Sequence, residues 1–223
     1  GDTKGDIVGT DIFGDFNRSD AQIATPSDII EVSGGTYAPT SQSEKGALIV
    51  TETQNVTISG AGSETSTVVP SAGNGVGEAE GDSVVLNNSQ SVTFSGFNVS
   101  GNITAQPVVD NGDEPNVTIS DVDIASAGAN ITANSSDLTI ETVTFDNAKR
   151  GAINITDTLN NTNSDLTATD VQVNGFTAAS TAETSALNAT AGVGANVTID
   201  NFDVDAQDSL GSEATVINLT QIG

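Results

Sequence analysis

The stretch Val117-Thr118-Ile119-Ser120-Asp121-Val122-Asp123-Ile124 decides the fold, because its spacing of apolar residues recurs four more times in the chain. If the first apolar residue is position k, apolar residues stand at k, k+2, k+5 and k+7, and threonine always stands at k+1. The other copies begin at Val92, Leu138, Leu166 and Val197, with an incomplete sixth copy at Val56. Alternation with a period of two is typical of strands, so each copy predicts two short strands joined by a two-residue corner.

A further apolar segment precedes each copy, so the pattern predicts three strands in every repeat of about 28 residues. These segments begin at Ala47, Ser83, Pro107, Ala129, Ala152 and Ala186, and one more follows the last copy at Ala214. Helical periodicity is not sustained anywhere in the chain. The sequence therefore predicts an all-β solenoid.

Two folds can use this spacing. In a β-sandwich, positions k+3 and k+4 would form hairpin turns, but the five dipeptides found there include no Asn-Gly or Asp-Gly, which tight hairpins favour. In a parallel β-helix, the same positions form a corner, and equivalent residues of successive coils stack on one another. The constant register favours the β-helix, because stacked residues must agree in size and direction.

Three segments near the start resemble the opening of the pectin-lyase-like right-handed β-helix proteins: residues 28–37 (DIIEVSGGTY), 48–50 (LIV) and 55–62 (NVTISGAG). That family begins with a D-T-I-x-V-x-x-G-T-Y segment and has a G-A-G strand end one coil later. The resemblance implies a right-handed single-stranded parallel β-helix of about six to seven coils over residues 28–223, after an N-terminal arm or cap over residues 1–27. The family's capping helix is reduced here to residues 17–25, and the chain stops on a strand, so we expect poorly capped ends.

The charge excludes several classes of partner. Thirty acidic residues stand against five basic ones in 223 residues, which gives a net charge of −25 without any histidine. Such a chain repels nucleic acid and anionic membranes, and no apolar run is long enough to insert into a bilayer. At about 1 M salt the Debye length falls to about 3 Å, which screens self-repulsion. We therefore expect a halophilic, archaeal-type protein; the alternative is an acidic secreted protein from another habitat.

Glycosylation sequons indicate an extracellular or cell-surface location. Thirteen of the twenty-one asparagines stand in Asn-x-Ser/Thr, where chance would give about five. The excess of sequons has a second explanation: Asn-Val-Thr suits an outward-facing strand edge, since threonine has a high β propensity. The candidate N-glycan sites are Asn17, Asn55, Asn87, Asn98, Asn102, Asn116, Asn130, Asn134, Asn154, Asn160, Asn188, Asn196 and Asn218. We expect Asn130, Asn154, Asn188 and Asn218 to lie in one row, and Asn55, Asn116 and Asn196 in another.

Candidate chemistry is sparse, and we predict no enzyme and no catalytic residue. Arg150 is the one candidate for the basic residue of a lyase, and the acid pairs of polygalacturonase-like hydrolases are missing. The chain lacks cysteine, which excludes thiolate metal sites. Asp110, Asp113 and Glu114 form the densest oxygen cluster, which would suit Ca²⁺; the alternative is a solvated turn. No other cofactor is expected.

We therefore expect a structural subunit of an extracellular filament or surface layer, a homopolymer that assembles through uncapped β-helix ends. The residues expected to carry the assembly are Ile7, Val8, Ile12, Phe13, Phe16, Val216, Ile217, Leu219 and Ile222. Two alternatives remain open: a halovirus spike, fibre or carbohydrate-binding module, and a polysaccharide lyase or hydrolase. Few exposed aromatic residues count against carbohydrate binding, since the chain has one tyrosine and no tryptophan.

Overall fold

The structure is a computed structural model. It describes residues 28–37, 48–51, 54–70, 82–87, 90–106, 116–125, 131–134, 137–146, 152–156, 165–176, 185–191, 196–206 and 215–221. The predicted N-terminal arm, residues 1–27, lies outside these ranges.

The described residues form strands and no helix. The strands are β1 (Asp28–Val32), β2 (Gly35–Tyr37), β3 (Leu48–Thr51), β4 (Gln54–Gly60), β5 (Ser66–Val68), β6 (Asp82–Asn87), β7 (Gln90–Val99), β8 (Asn102–Gln106), β9 (Asn116–Ile124), β10 (Ile131–Asn134), β11 (Asp137–Asp146), β12 (Ile153–Thr156), β13 (Leu166–Phe176), β14 (Ser185–Ala191), β15 (Val197–Ala206) and β16 (Thr215–Gln221). The protein is therefore all-β over the part of the chain described.

Two parallel sheets are built from alternate strands of the chain. Sheet A follows the order β1-β4-β7-β9-β11-β13-β15. Two short strands also belong to it: β2 pairs with β5, and β5 pairs with β7. Sheet B follows the order β16-β14-β12-β10-β8-β6-β3. From β7 onward, one strand of each sheet makes up a coil, whereas the first two coils have the additional sheet A strands β2 and β5; every strand pairs with its counterparts in the adjacent coils. This arrangement is compatible with a parallel β-helix, and the parallel pairing contradicts the hairpins that the β-sandwich alternative requires.

The predicted register sets the core. Val92, Val117, Leu138, Leu166 and Val197 follow one another in a column, by which we mean the same position in successive coils. The threonines at k+1 form an outward column beside it. Residues at k, k+2, k+5 and k+7 are buried from the coil of Val92 to that of Leu166. Phe94 and Phe97 stack within one coil, with ring centroids 4.5 Å apart. Burial of these columns is the main favourable term in folding.

Position k+4 turns the strand by adopting a left-handed backbone. Gly96 has a φ of 75°, and the residues below it in the column have φ between 50° and 53°: Asp121, Thr142, Asp170 and Asn201. Glycine, aspartate and asparagine tolerate this conformation better than other residues, whereas a β-branched threonine does not. The predicted corner thus exists as a column of left-handed residues, with Thr142 as its poorest member.

The sequence placed one strand of sheet B wrongly. The segment expected at Pro107 lies outside the described residues, and sheet B instead uses β8, which places Ile103 and Ala105 in the core. A strand with only these two inward apolar residues is a weaker sequence signal than Pro107-Val108-Val109. The sequence pattern therefore favoured the neighbouring segment.

Candidate functional site

The core is exposed at its C-terminal end. In β13 the residues at k, k+2, k+5 and k+7 are buried, but their counterparts in β15 are only half-buried. These counterparts are Val197, Ile199, Phe202 and Val204. They lie against β13 on one side, and β15 is the last strand of sheet A, so no described strand covers their other side. The repeated spacing predicts that Ile199 is buried like its counterparts at k+2, and this prediction is wrong.

Sheet B shows the same exposure at its last strand. Leu187 and Ala189 of β14 are buried. Their counterparts in β16 are not: Ile217 is half-buried and Leu219 is 52% exposed. Val216 is 42% exposed. We call the seven residues of the two last strands the open end: Val197, Ile199, Phe202, Val204, Val216, Ile217 and Leu219. Apolar surface gathered on two unpaired edge strands is a surface that pairs readily with another chain.

The first coil buries more of its apolar residues than the last coil does. Val32, Tyr37, Leu48 and Val50 are buried. The Tyr37 ring passes close to Gly35, and its hydroxyl donates a hydrogen bond of 2.6 Å to the carbonyl oxygen of Ser33. Burial raises the pKa of Tyr37. Ile29 of β1 is 67% exposed and Ile30 is half-buried, so apolar residues are exposed at both ends of the described stack, and more of them at the C-terminal end.

The predicted assembly residues divide between described and undescribed parts of the chain. Val216, Ile217 and Leu219 lie in β16 and belong to the open end. Ile7, Val8, Ile12, Phe13, Phe16 and Ile222 lie outside the described residues. Sequence reasoning missed the four open-end residues of β15, because they match the core pattern perfectly. The signal that could have found them is their place in the last of the repeated copies.

Three sequon asparagines form a hydrogen-bonded ladder on sheet B. Nδ2 of Asn188 donates to Oδ1 of Asn154 at 3.1 Å, and Nδ2 of Asn218 donates to Oδ1 of Asn188 at 2.9 Å. Thr132 is the residue opposite Asn154 in the preceding coil, so the expected place of Asn130 in this row is wrong. Nδ2 is also the atom that carries an N-linked glycan. The asparagines of the ladder are therefore so close that glycans on neighbouring ones would compete for the same space.

A second column of polar side chains stands at k−1 of sheet A. Oδ1 of Asp137 accepts a hydrogen bond of 2.9 Å from the backbone N–H of Asp165, and Oδ1 of Asp165 accepts one of 2.6 Å from that of Asn196. Nδ2 of Asn196 also donates to the Asp165 carboxylate. Asn116 precedes Asp137 in this column and is exposed. Asp137 and Asp165 help to fix where the next strand of sheet A begins, because the side chain of each bonds the backbone of the following coil.

The remaining sequons occupy varied places. Asn98 and Asn102 are half-buried in strands. Asn55, Asn87 and Asn134 lie in β4, β6 and β10, and nothing is described of their side chains. Asn17, Asn130 and Asn160 lie outside the described residues.

The candidate Ca²⁺ ligands Asp110, Asp113 and Glu114 lie outside the described residues, as does Arg150. Within the described ranges, no three histidine, cysteine, aspartate or glutamate side chains gather as a metal site. The same part of the chain contains no helix of the length and apolarity that crossing a membrane requires.

Comparisons with models of protein families, with curated proteins and with solved structures found no match to this chain.

Proposed function

We propose that the chain is a right-handed single-stranded parallel β-helix and a structural subunit of an extracellular assembly of a halophile, a glycosylated filament or surface layer. The open end carries this proposal. Seven apolar residues on two edge strands are partly or largely exposed to solvent in an isolated copy, and contact with a second copy would bury them.

The occupant that we propose for the open end is the N-terminal segment of a second copy. Residues 7–16 bring five large apolar side chains, and they precede the first coil, in which Val32, Tyr37, Leu48 and Val50 are already buried. A contact between the C-terminal end of one copy and the N-terminal segment of the next uses two different surfaces. Such a heterologous contact does not close on itself unless the copies form a ring, so it produces a filament.

The habitat and the location rest on composition. A net charge of −25 suits a high-salt environment, in which the repulsion between copies is screened. Thirteen sequons support secretion and glycosylation. Asn116, which is exposed at the side of the coils rather than at the open end, could carry a glycan without blocking the contact between copies.

Two complementary variants test the proposal. Deletion of residues 1–16 removes the inserting segment and keeps the open end, whereas Leu219→Asn damages the open end and keeps the segment. In molar NaCl we expect wild-type protein to form filaments in electron micrographs and each variant alone to stay monomeric in sedimentation velocity. A mixture of the two variants should stop at dimers, because only one productive contact exists.

The matched control is Thr220→Asn, which makes a similar change at the neighbouring, outward position of β16 and should leave assembly intact; all variants are made in a host that does not N-glycosylate, because this change removes the Asn218 sequon. Wild-type protein that stays monomeric at all salt and protein concentrations would disprove the proposal. Normal filaments from the deletion variant would show that residues 1–16 are not the occupant.

A further inference from the structure

We infer that Asp200, Asp203 and Asp205 form a carboxylate rim around the open end, and that this rim makes the assembly of copies depend on salt. The inference rests on the proposed function, since it concerns the same contact. It adds a regulatory role for three residues that the fold does not require to be acidic.

The rim surrounds the apolar surface directly. The three aspartates alternate along β15 with the half-buried residues of the core, and all three are exposed. Asp200 follows Ile199, and Asp203 and Asp205 stand on either side of Val204. Any chain that pairs with β15 must therefore pass close to all three carboxylates.

Acidity at all three of these positions is a property of the last coil; the copy that starts at Val117 has one acid there, Asp123, and the copy that starts at Leu138 has two, Glu141 and Asp146. The rim occupies positions k+3, k+6 and k+8, and the five complete copies differ strongly there. In the copy that starts at Leu166 the residues are Thr169, Gln172 and Asn174, and in the copy that starts at Val92 they are Ser95, Asn98 and Ser100. Only the copy that starts at Val197 has an acid at all three positions. Since the fold accepts uncharged polar residues at all three positions in the copies that start at Leu166 and Val92, it does not by itself explain the three aspartates.

Among the described residues, the strand neighbours of Asp200 and Asp203 carry no negative charge. Thr169 pairs with Asp200 and Gln172 with Asp203, so the side chains toward the interior of the molecule are neutral. Charges directly opposite one another on adjacent strands destabilise a sheet when they have the same sign. The rim is therefore tolerated in the isolated copy, and its repulsion acts on whatever approaches from outside.

A second copy is such a partner, because every copy carries a net charge of −25. Adjacent strands lie about 4.8 Å apart. This spacing is well inside the Debye length of about 10 Å at 0.1 M salt, but it exceeds the length of about 3 Å at 1 M. Repulsion at the rim thus opposes the contact at low salt and is screened at high salt.

The rim also discriminates between directions of association. Two open ends that meet face to face would bring two rims together, with six carboxylates at one interface. A contact between the open end and the N-terminal segment of the next copy involves one rim. While the repulsion is only partly screened, assembly is therefore biased toward head-to-tail filaments over closed dimers.

The experiment compares two triple variants of equal charge in the full chain. The rim variant is Asp200→Asn, Asp203→Asn and Asp205→Asn; the control variant is Asp121→Asn, Asp123→Asn and Glu141→Gln, on coils away from the open end. Both lose three negative charges. Light scattering and sedimentation velocity, from about 0.1 M to about 3 M NaCl, give the salt concentration at which half of the protein is assembled.

We expect the rim variant to assemble at a several-fold lower salt concentration than the wild type, and the control variant to shift much less. A shift of the rim variant no larger than that of the control would overturn the inference and leave the proposed function standing. Wild-type protein that assembles at no salt concentration would instead refute the proposed function, together with this inference.

Discussion

Gly60 and Gly96 occupy the same corner of adjacent coils, and their backbones lie so close that a Cβ on Gly60 would overlap the carbonyl oxygen of Gly96. Gly96 adopts a φ of 75°, and its carbonyl also accepts a hydrogen bond of 3.2 Å from the backbone N–H of Gly62. The first full-length coil can stack on its predecessor only because neither residue has a side chain at this corner.

Gly60→Ala should lower the free energy of unfolding by about 2–3 kcal/mol, since the overlap involves backbone that cannot rotate away. Urea denaturation measures the effect. Gly34→Ala is the control, because its Cβ would come no closer than 3.4 Å to Thr65, and we expect a change within about 1 kcal/mol. Equal losses in the two variants would mean that the corner has room for a methyl group.

Thr142→Asn should raise the free energy of unfolding by about 1 kcal/mol in protein made in a host that does not N-glycosylate, since the change also creates an Asn-Val-Thr sequon. Thr142 holds a φ of 53°, where a β-branched residue is strained and asparagine is tolerated. The same substitution at Thr144, an outward position of extended backbone on the same strand, serves as the control and should bring no gain. Destabilisation by Thr142→Asn would contradict the strain argument.

Asn188→Ala should cost about 2 kcal/mol in protein made in a host that does not N-glycosylate, because Asn188 takes part in two amide–amide hydrogen bonds. Asn218→Ala removes one of these bonds and should cost about half as much. Chemical denaturation of both variants tests the ratio. A loss that is no larger for Asn188 than for Asn218 would show that the ladder adds nothing to stability.

Phe97 and Phe202 stand in the same column, the first buried and the second half-buried at the open end. Phe97→Ala should cost about 3–5 kcal/mol through the cavity that it leaves. Phe202→Ala should cost clearly less in the monomer, because its side chain is already partly in water. Denaturation at a protein concentration below that of assembly tests this, and equal costs would mean that Phe202 is covered within one copy.

Stability should rise with salt. The net charge of −25 opposes compaction when the Debye length is about 10 Å, and screening at molar salt removes most of that repulsion. Thermal melts followed by circular dichroism from about 0.1 M to about 3 M NaCl should shift upward by well over 10 °C. A series in glycerol at matched osmolality controls for water activity, and a flat NaCl profile would remove the halophile argument.

The repeated spacing predicted the strands of sheet A and the residues of its core well. Ile119 and Ile140 are buried and paired as expected, because period-two alternation leaves little choice of face once one side is apolar. The corner at k+3 and k+4 was also predicted from spacing. Its left-handed backbone was not, although Gly96, Asp121, Asp170 and Asn201 are residue types that favour it.

Sheet B and the open end were harder to predict from sequence. Strands of four or five residues have only two or three inward positions. A register shifted by two residues, with Asn130 in the place of Thr132 opposite Asn154, therefore fits the apolar pattern almost equally well. Ile199 fits the core pattern as well as Ile140 does. Its exposure depends on the absence of a covering strand among the described residues, which is a property of the stack and not of the local sequence.

Successive coils keep one register although they differ in length. Val117 and Leu138 are 21 residues apart, whereas Val56 and Val92 are 36 residues apart, and each pair stacks directly. Doubling a flexible connection costs only about 0.6 kcal/mol. Residues can therefore be inserted between strands, which lengthens one coil, without changing how the strands of successive coils stack. If copies assemble as we propose, a foreign peptide or binding module inserted at such a connection would be displayed at regular intervals along the filament.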